Sequence, residues 1–148
     1  MMAKPELERR RIGALLRIPF QAIVAGIHEG LTQAGYHDLS PSHFVVFQHM
    51  RSEGIRSTEL ARRAQMTKQS MGYLISYLES RGYVERTPDP SDGRAQLVRL
   101  SEKGWEVAQV STAIVEQFEG DWERYLGTER MGQLRSILRE LSARMGER

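Results

Sequence analysis

Apolar residues recur every three or four positions along most of the chain, the spacing that places them on one face of an α-helix. The pattern predicts a helix over residues 7–34 and five later helices. Serine and threonine mark the later starts, because their side chains accept a bond from a free N–H of the first turn. The predicted starts are Ser40-Pro41, Ser57, Thr67, Ser101 and Gly127-Thr128.

The first predicted helix contains Pro19, which removes a backbone donor and clashes with the preceding turn. We therefore expect this helix to be kinked or divided at Pro19. Gly26 and Gly30 would let a neighbouring element approach closely. The segment suits either a core helix or a dimerisation helix, and both interpretations stay open.

Two short strands are predicted after the helix that begins at Thr67, at Tyr83–Arg86 and Gln96–Leu100. Between them lies Asp89-Pro90-Ser91-Asp92-Gly93-Arg94, a run of residue types that favour turns. We predict a long, charged loop that projects from the domain as a wing.

The last predicted helix carries a narrow apolar stripe with steps of three and four residues, which resembles a coiled-coil seam. The stripe consists of Met131, Leu134, Leu138, Leu141 and Met145. It could pack on its own domain, but its position near the chain end favours a partner subunit.

These elements predict a mainly α fold with a small β-hairpin wing, namely a winged helix-turn-helix flanked by N- and C-terminal dimerisation helices. We assign residues 1–38 to the N-terminal dimerisation region and residues 39–100 to the winged helix-turn-helix, the DNA-binding domain. Residues 101–148 form the C-terminal helices, which serve as linker and dimerisation region.

Polar side chains lie at the open end of the helix that begins at Thr67, away from its apolar face. The candidate DNA contacts there are Thr67, Lys68, Gln69, Ser70 and Tyr73. Gln69 suits an adenine edge, Lys68 suits guanine or phosphate, and the free amides of the helix start suit a phosphate. Any one of these residues alone fits a solvated polar face, but the neighbouring turn and wing favour DNA for the set.

Arg94 at the predicted wing is the best single candidate, because arginine suits a narrow A·T-rich minor groove. Asp92 is close enough in sequence to orient the guanidinium. An exposed Asp–Arg pair adds only ~0–1 kcal/mol to stability, so its place at a loop tip favours a positioning role. The alternative is a hairpin turn with incidental charges.

Five further arginines flank these elements and are candidates for contact with the DNA backbone: Arg56, Arg62, Arg63, Arg86 and Arg99. The net charge of +2 is too small to indicate nucleic acid by itself. Its distribution is more informative, because residues 56–99 hold eight Lys/Arg against five Asp/Glu, whereas residues 101–148 hold seven against nine.

The chain contains no cysteine, which excludes disulfides, cysteine-ligated metal and thiol redox sensing within it. The histidines at positions 28, 37, 43 and 49 form no i, i+4 pair, so we expect neither a metal site nor a cofactor, although one or two could line a cavity. No apolar run approaches the ~18 residues of a membrane span, and the start lacks a secretory signal, so we expect a cytoplasmic protein without a membrane partner. No nucleophile motif, phosphate loop or catalytic carboxylate pair indicates an enzyme.

The run from Ser57 to Gly104 resembles the MarR family of bacterial winged helix-turn-helix repressors. The matching pieces, in order, are Glu59-Leu60-Ala61, the Thr67 helix start, Leu78-Glu79 with Gly82, Val84-x-Arg86, Asp89-Pro90-x-Asp92-x-Arg94, Val98-x-Leu100-Ser101 and Gly104. The wing is the strongest piece, and the order and spacing of the whole set make the resemblance specific.

The resemblance implies a homodimer that binds a pseudo-palindromic operator in double-stranded DNA. The groove helix would be Thr67 to Arg81, and Asp92 and Arg94 would form the wing pair. Many members release DNA when a small, often aromatic or phenolic, effector binds between the dimer helices and the DNA-binding lobe. By the same analogy the pocket walls are Phe20, Tyr36, Phe47 and Trp105, positions that also suit core packing.

A winged helix can instead serve as a protein-interaction module that does not grip DNA. The basic residues Lys68 and Arg94 argue against this alternative. A steep salt dependence of duplex binding would separate the two readings, because neutralised phosphates release counterions. A small enzyme that uses the histidines has no supporting motif.

Overall fold

A computed structural model describes residues 11–146 of the chain. Within this range six helices and one two-stranded antiparallel hairpin follow one another. The elements are α1 (Ile12–Gln33), α2 (Pro41–His49), α3 (Ser57–Arg63), α4 (Lys68–Ser80), β1 (Val84–Asp89), β2 (Asp92–Leu100), α5 (Glu102–Leu126) and α6 (Thr128–Gly146). The predicted fold class, mainly helical with a hairpin wing, is confirmed. No helix in the described range is long and apolar enough to cross a bilayer.

α1 runs through Pro19 without interruption. Of the two expected outcomes at Pro19, the division is therefore wrong, and the kink stays a prediction. The reason is that the fixed φ of proline suits a helix, and only the bond to the Leu15 carbonyl is lost. The predicted start at residue 7 lies outside the described residues, and the first helical residue within them is Ile12, which follows an extended Arg11.

Two glycines of α1 face large side chains of α5. A Cβ on Gly26 would lie 2.4 Å from the ring of Phe118, and one on Gly30 would lie 2.3 Å from Ile114. The predicted close approach is confirmed, because no larger residue fits at either position without movement of α5 side chains.

Side-chain capping sets the starts of α4 and α5. The Thr67 hydroxyl accepts a bond from the Ser70 N–H at 3.1 Å, and the Ser101 hydroxyl accepts one from the Gly104 N–H at 3.1 Å, as the sequence predicts. α3 starts one residue earlier than predicted: Arg56 is its cap residue, and Ser57 is already helical. The shift arises because the Arg56 carbonyl accepts the first helical bond, from the Leu60 N–H at 2.9 Å.

The hairpin differs from its predicted form. Both strands are longer than expected, and only Pro90 and Ser91 separate them, so the long predicted loop is a two-residue turn. The Asp89 carboxylate closes the turn by accepting bonds from the backbone N–H and the hydroxyl of Ser91, at 2.9 and 2.7 Å. Asp89 lies opposite Asp92, whereas Pro88 lies opposite Gln96, so β2 bulges between them.

One hydrophobic core joins the helix-turn-helix, the base of the hairpin and the ends of α1 and α5. Its fully buried side chains include Leu31, Val46, Leu60, Met71, Ile75, Leu78, Tyr83, Val98 and Val107. Ile55, ahead of α3, adds a short bridge to Val98 through two backbone bonds of 3.0 and 2.8 Å. The core therefore fixes α3, α4 and the hairpin relative to one another.

Apolar side chains remain exposed on α1 and α6. The predicted stripe on α6 divides, because Met131 is buried against the same chain while its C-terminal members are not covered. The exposed large residues of the two helices are Ile12, Leu15, Leu16, Ile18 and Phe20 on α1, and Ile137, Leu138, Leu141 and Met145 on α6.

Candidate nucleic-acid interface

α4 has one buried face and one exposed polar face. Met71, Ile75 and Leu78 are fully buried against the core. The opposite side carries the exposed candidates Lys68, Gln69 and Tyr73, the last with 69% of its surface accessible. The core thus presents the polar face of α4 outward, as a helix that enters a groove requires.

The start of α4 is held by its own side chains. The Thr67 and Ser70 hydroxyls bond each other at 2.8 Å as well as forming the cap, so both are partly engaged before any ligand arrives. The Gln69 amide donates to the Tyr73 hydroxyl at 3.3 Å, which holds the glutamine along the helix surface. In the part of the chain that the structure describes, Lys68 has no carboxylate within ion-pair distance.

The contact between Asp92 and Arg94 differs from the predicted one. Asp92 accepts a bond from the backbone N–H of Arg94 at 3.0 Å and forms no ion pair with its guanidinium. The expectation that Asp92 orients the guanidinium directly is therefore wrong, because the bulge directs the backbone amide toward the carboxylate. The exposed Arg94 side chain forms no ion pair within residues 11–146.

Arg56 binds the wing. Its Nε and Nη2 atoms lie 2.8 and 2.7 Å from one oxygen of Asp89, and Nη2 lies 3.9 Å from Asp92. Asp89 is only 8% exposed. The bonds from Ser91 and Arg56 lower the pKa of Asp89 to about 2, so this carboxylate is charged at any physiological pH.

The other flanking arginines divide into paired and unpaired residues. Arg62 and Arg63 share Glu59, at 2.7 and 3.0 Å, and Arg86 pairs with Glu79 at 3.3 Å. Arg99 is exposed and forms no ion pair in the described range. A phosphate that approaches the paired arginines would compete with a carboxylate already in place.

A surface cavity of about 520 Å³ lies where α1 meets the start of α5. Its walls are Ala34, Gly35, Tyr36, His37, Asp38, Tyr83 and Lys103. Of the four predicted pocket residues, only Tyr36 lines this cavity. Phe20 and Trp105 lie on the surface, 60% and 42% exposed, and Phe47 packs edge-on against Tyr83 in the core.

Two tyrosines that line this cavity, and one beside it, donate their hydroxyls to acidic residues or backbone. Tyr83 donates to the Asp38 carboxylate, Tyr77 of α4 donates to the Asp38 carbonyl at 2.6 Å, and Tyr36 donates to Glu106 at 3.0 Å. Burial, together with Asp38, raises the pKa of Tyr83, and the bond from Tyr83 lowers the pKa of Asp38. Tyr83 is thus a neutral donor to a charged acceptor.

Lys103 completes the cavity. Its ammonium lies 4.2 Å from the centre of the Tyr83 ring and donates to the Arg81 carbonyl at 3.0 Å. Within residues 11–146, no three His, Asp or Glu side chains cluster as metal ligands.

The MarR family model matches residues 37–95, which span α2, α3, α4 and most of the hairpin. The HTH-type transcriptional repressor Rv2887 of Mycobacterium tuberculosis is 32% identical over 105 residues, which cover 71% of this chain and 69% of the relative. The chain belongs to the MarR family. It is therefore a DNA-binding regulator of transcription and not an enzyme, since regulation is the role of this family.

Two solved structures illustrate the shared fold. CouR from Rhodococcus jostii, bound to p-coumaroyl-CoA, is 25% identical, with a TM-score of 0.69 over 88% of this chain and 90% of CouR. A mutant of MarR from E. coli in complex with operator DNA is 23% identical, with a TM-score of 0.69 over 88% of this chain and 92% of that one. The predicted family resemblance is confirmed.

Sequence reasoning missed several residues of this MarR-family regulator. Asp38, Tyr83 and Lys103 line the cavity, yet Asp38 and Tyr83 lie 45 positions apart in the chain. Tyr83 looked like an ordinary strand residue. The one local signal was its place at the start of a strand directly after Gly82, where a buried hydroxyl needs a partner.

Proposed function

We propose that this protein is a cytoplasmic transcriptional repressor that binds a pseudo-palindromic operator as a homodimer and releases it when a small aromatic or phenolic effector binds. The observation that supports DNA reading most directly is the outward polar face of α4 beside a hairpin that carries the unpaired Arg94. Both elements rest on the same core, so they would meet one duplex together.

In this proposal α4 enters the major groove. Gln69 reads an adenine edge after leaving Tyr73, and Lys68 binds guanine or a phosphate. Thr67 and Ser70 border the helix start, whose free amides suit a phosphate. A bidentate contact from Gln69 would contribute about 1–3 kcal/mol of discrimination against other bases.

The wing would reach the adjacent minor groove through Arg94, with Asp92 fixing the backbone of that residue. Arg62, Arg63, Arg86 and Arg99 would contribute contacts to the DNA backbone. Arg99 is ready for a phosphate, whereas the other three would first exchange a carboxylate partner.

The exposed apolar residues of α1 and α6 support a homodimer. Leu138, Leu141 and Met145 continue the stripe that Met131 begins, and they would be covered by a second copy of the chain. A dimer of this kind would place two α4 helices on successive major grooves, which explains why the operator would be a pseudo-palindrome.

The cavity at Tyr36 supports an effector site, and CouR, which shares the fold, is bound to the small molecule p-coumaroyl-CoA in its structure. Asp38 lies in this cavity and bonds Tyr77 of α4, so a ligand there would touch the attachment of the DNA-reading helix. An effector would act only if it binds the DNA-free arrangement more tightly.

Footprinting on the DNA upstream of its own gene, followed by fluorescence anisotropy with the protected duplex, tests the proposal. Arg94→Ala should weaken binding about tenfold, roughly 1.4 kcal/mol, whereas Arg124→Ala on α5 should not change it. Equal affinity of wild type and Arg94→Ala would remove the wing from the mechanism.

The same duplex tests the effector. A panel of phenols and aromatic acid conjugates, p-coumaroyl-CoA included, should contain at least one compound that releases it. Tyr36→Ala should blunt that release. If no compound that binds the protein alters its affinity for DNA, effector control fails while DNA binding stands.

A further inference from the structure

Arg56 occupies a different position from the other flanking arginines. It stands at the start of α3, the first helix of the helix-turn-helix, and its guanidinium reaches the wing tip. We propose that Arg56 is a positioning residue that fixes the wing tip and thereby directs Arg94 at the duplex. This inference rests on the proposed role of the wing in DNA binding.

The first contact is with Asp89. Nε and Nη2 of Arg56 both bind Oδ2 of this residue, at 2.8 and 2.7 Å. The other oxygen, Oδ1, accepts both bonds from Ser91. Asp89 is therefore fully occupied, and Arg56 holds the carboxylate that closes the turn.

The second contact is with Asp92. Nη2 of Arg56 lies 3.9 Å from Oδ2 of Asp92, while Oδ1 of the same residue accepts the backbone N–H of Arg94 at 3.0 Å. The Asp92 carboxylate thus links the Arg56 guanidinium to the backbone of Arg94. A change in the position of Arg56 would pass directly to the segment that carries Arg94.

Charge gives a second reason for Arg56. Asp89 and Asp92 are opposite each other across the hairpin, and like charges at such positions are destabilising. Without Arg56 the wing tip would hold two carboxylates against the single cation of Arg94, and a phosphate backbone would repel it. The Arg56 guanidinium offsets one of these carboxylates and lies close to both.

Arg56 is unsuited to the phosphate role that its sequence position indicated. Its Nε and one terminal nitrogen are directed at Asp89, which is almost completely buried. A phosphate contact through either of these two nitrogens would take the arginine away from a buried carboxylate, which is costly. Arg62 provides the matched control, because it lies on α3 with a comparable bidentate partner, Glu59, but does not touch the wing.

A double-mutant cycle on the footprinted duplex separates the roles. Arg56→Gln should weaken binding about five- to tenfold in the wild-type background and less than twofold in the Arg94→Ala background. Arg62→Gln should have the same effect in both backgrounds. Independent effects of Arg56→Gln and Arg94→Ala would overturn the inference.

The salt dependence of duplex binding distinguishes a phosphate contact of Arg56 from a positioning role. A lost phosphate contact should reduce the slope of log affinity against log salt by about 0.9. Arg56→Gln should leave the slope unchanged in the Arg94→Ala background, and Arg56→Lys, which retains the charge, should restore part of the affinity. A reduced slope in that background would make Arg56 a phosphate ligand instead.

Asp89→Asn distinguishes positioning from simple charge. Removal of a negative charge near DNA should strengthen binding if only net charge matters, whereas loss of the Arg56 partner should weaken it. We expect weaker binding, with circular dichroism and thermal melting confirming the fold of each variant. Tighter binding by Asp89→Asn would overturn the inference. If Arg94→Ala binds the duplex as tightly as the wild type, the role of the wing itself is overturned instead.

Discussion

Gly104 is the residue at which a single methyl group should have the largest predictable effect on stability. It is the third residue of α5, and a Cβ there would lie 2.1 Å from the backbone oxygen of Tyr83. A carbon and a carbonyl oxygen normally approach to about 3.3 Å. Gly104→Ala would therefore force the start of α5 and the end of the α4–β1 connection apart by roughly 1 Å.

The same contact is held by two hydrogen bonds. The Ser101 N–H donates to the Tyr83 carbonyl at 3.0 Å, and the Ser101 hydroxyl donates to the Gly82 carbonyl at 2.5 Å. Overpacking of this kind costs about 1–3 kcal/mol, and a lost bond adds about 1 kcal/mol. Alanine recovers up to about 1 kcal/mol as the better helix former, so the net loss should be about 1–3 kcal/mol.

Urea denaturation followed by tryptophan fluorescence, at one fixed protein concentration, measures this loss. Thermal melting should show a lower Tm, by about 2–4 °C for each kcal/mol. The matched control is Gly120→Ala on the same helix, where the nearest atom is 3.7 Å away and alanine should stabilise by about 0.5–1 kcal/mol. Equal stability changes in the two variants would refute the steric reasoning.

Two further substitutions test the local chemistry of the fold. His43 is buried with Nδ1 accepting the Ser40 N–H at 3.0 Å, and burial lowers its pKa below 6.5. The unfolded chain thus binds a proton that the folded chain resists, so the free energy of unfolding should fall as the pH drops below about 6.5. His43→Gln keeps an acceptor for the cap and should flatten this fall in urea titrations; an unchanged pH profile would contradict the assignment. Pro19→Ala should increase the free energy of unfolding by up to about 3 kcal/mol and so raise the Tm, because the Leu15 carbonyl regains its donor. A lower Tm would show that the proline ring makes a necessary contact.

Local chemistry made much of the fold predictable. The hydroxyls of Thr67 and Ser101 each accept a hydrogen bond from the N–H three residues later, so the sequence predicts these two helix starts directly. The apolar face of α4 could also be read, because its period decides which side is buried. The exposed positions of Lys68, Gln69 and Arg94 follow from that face and from the turn chemistry.

The errors arose where a side chain far away in sequence decides the outcome. The hairpin loop was predicted to be long because turn-forming residues extend from Asp89 to Arg94. Arg56 instead braces Asp89 from 33 positions away, and the strands extend to the tip. At Pro19 the reason is local: one lost bond does not outweigh the rest of a 22-residue helix, so the helix is not divided there.

The two-residue turn at Pro90-Ser91 means that the number of paired residues in the strands sets the length of the wing. A strand advances about 3.3 Å per residue, so the six residues of β1 place the wing tip roughly 20 Å from the start of the strand in the core. Because β1 is paired along its whole length and only β2 bulges near the tip, each cross-strand pair added or removed below the bulge would change the reach by about 3.3 Å. Relatives with longer or shorter wings would consequently contact DNA at a different distance from the centre of their binding site.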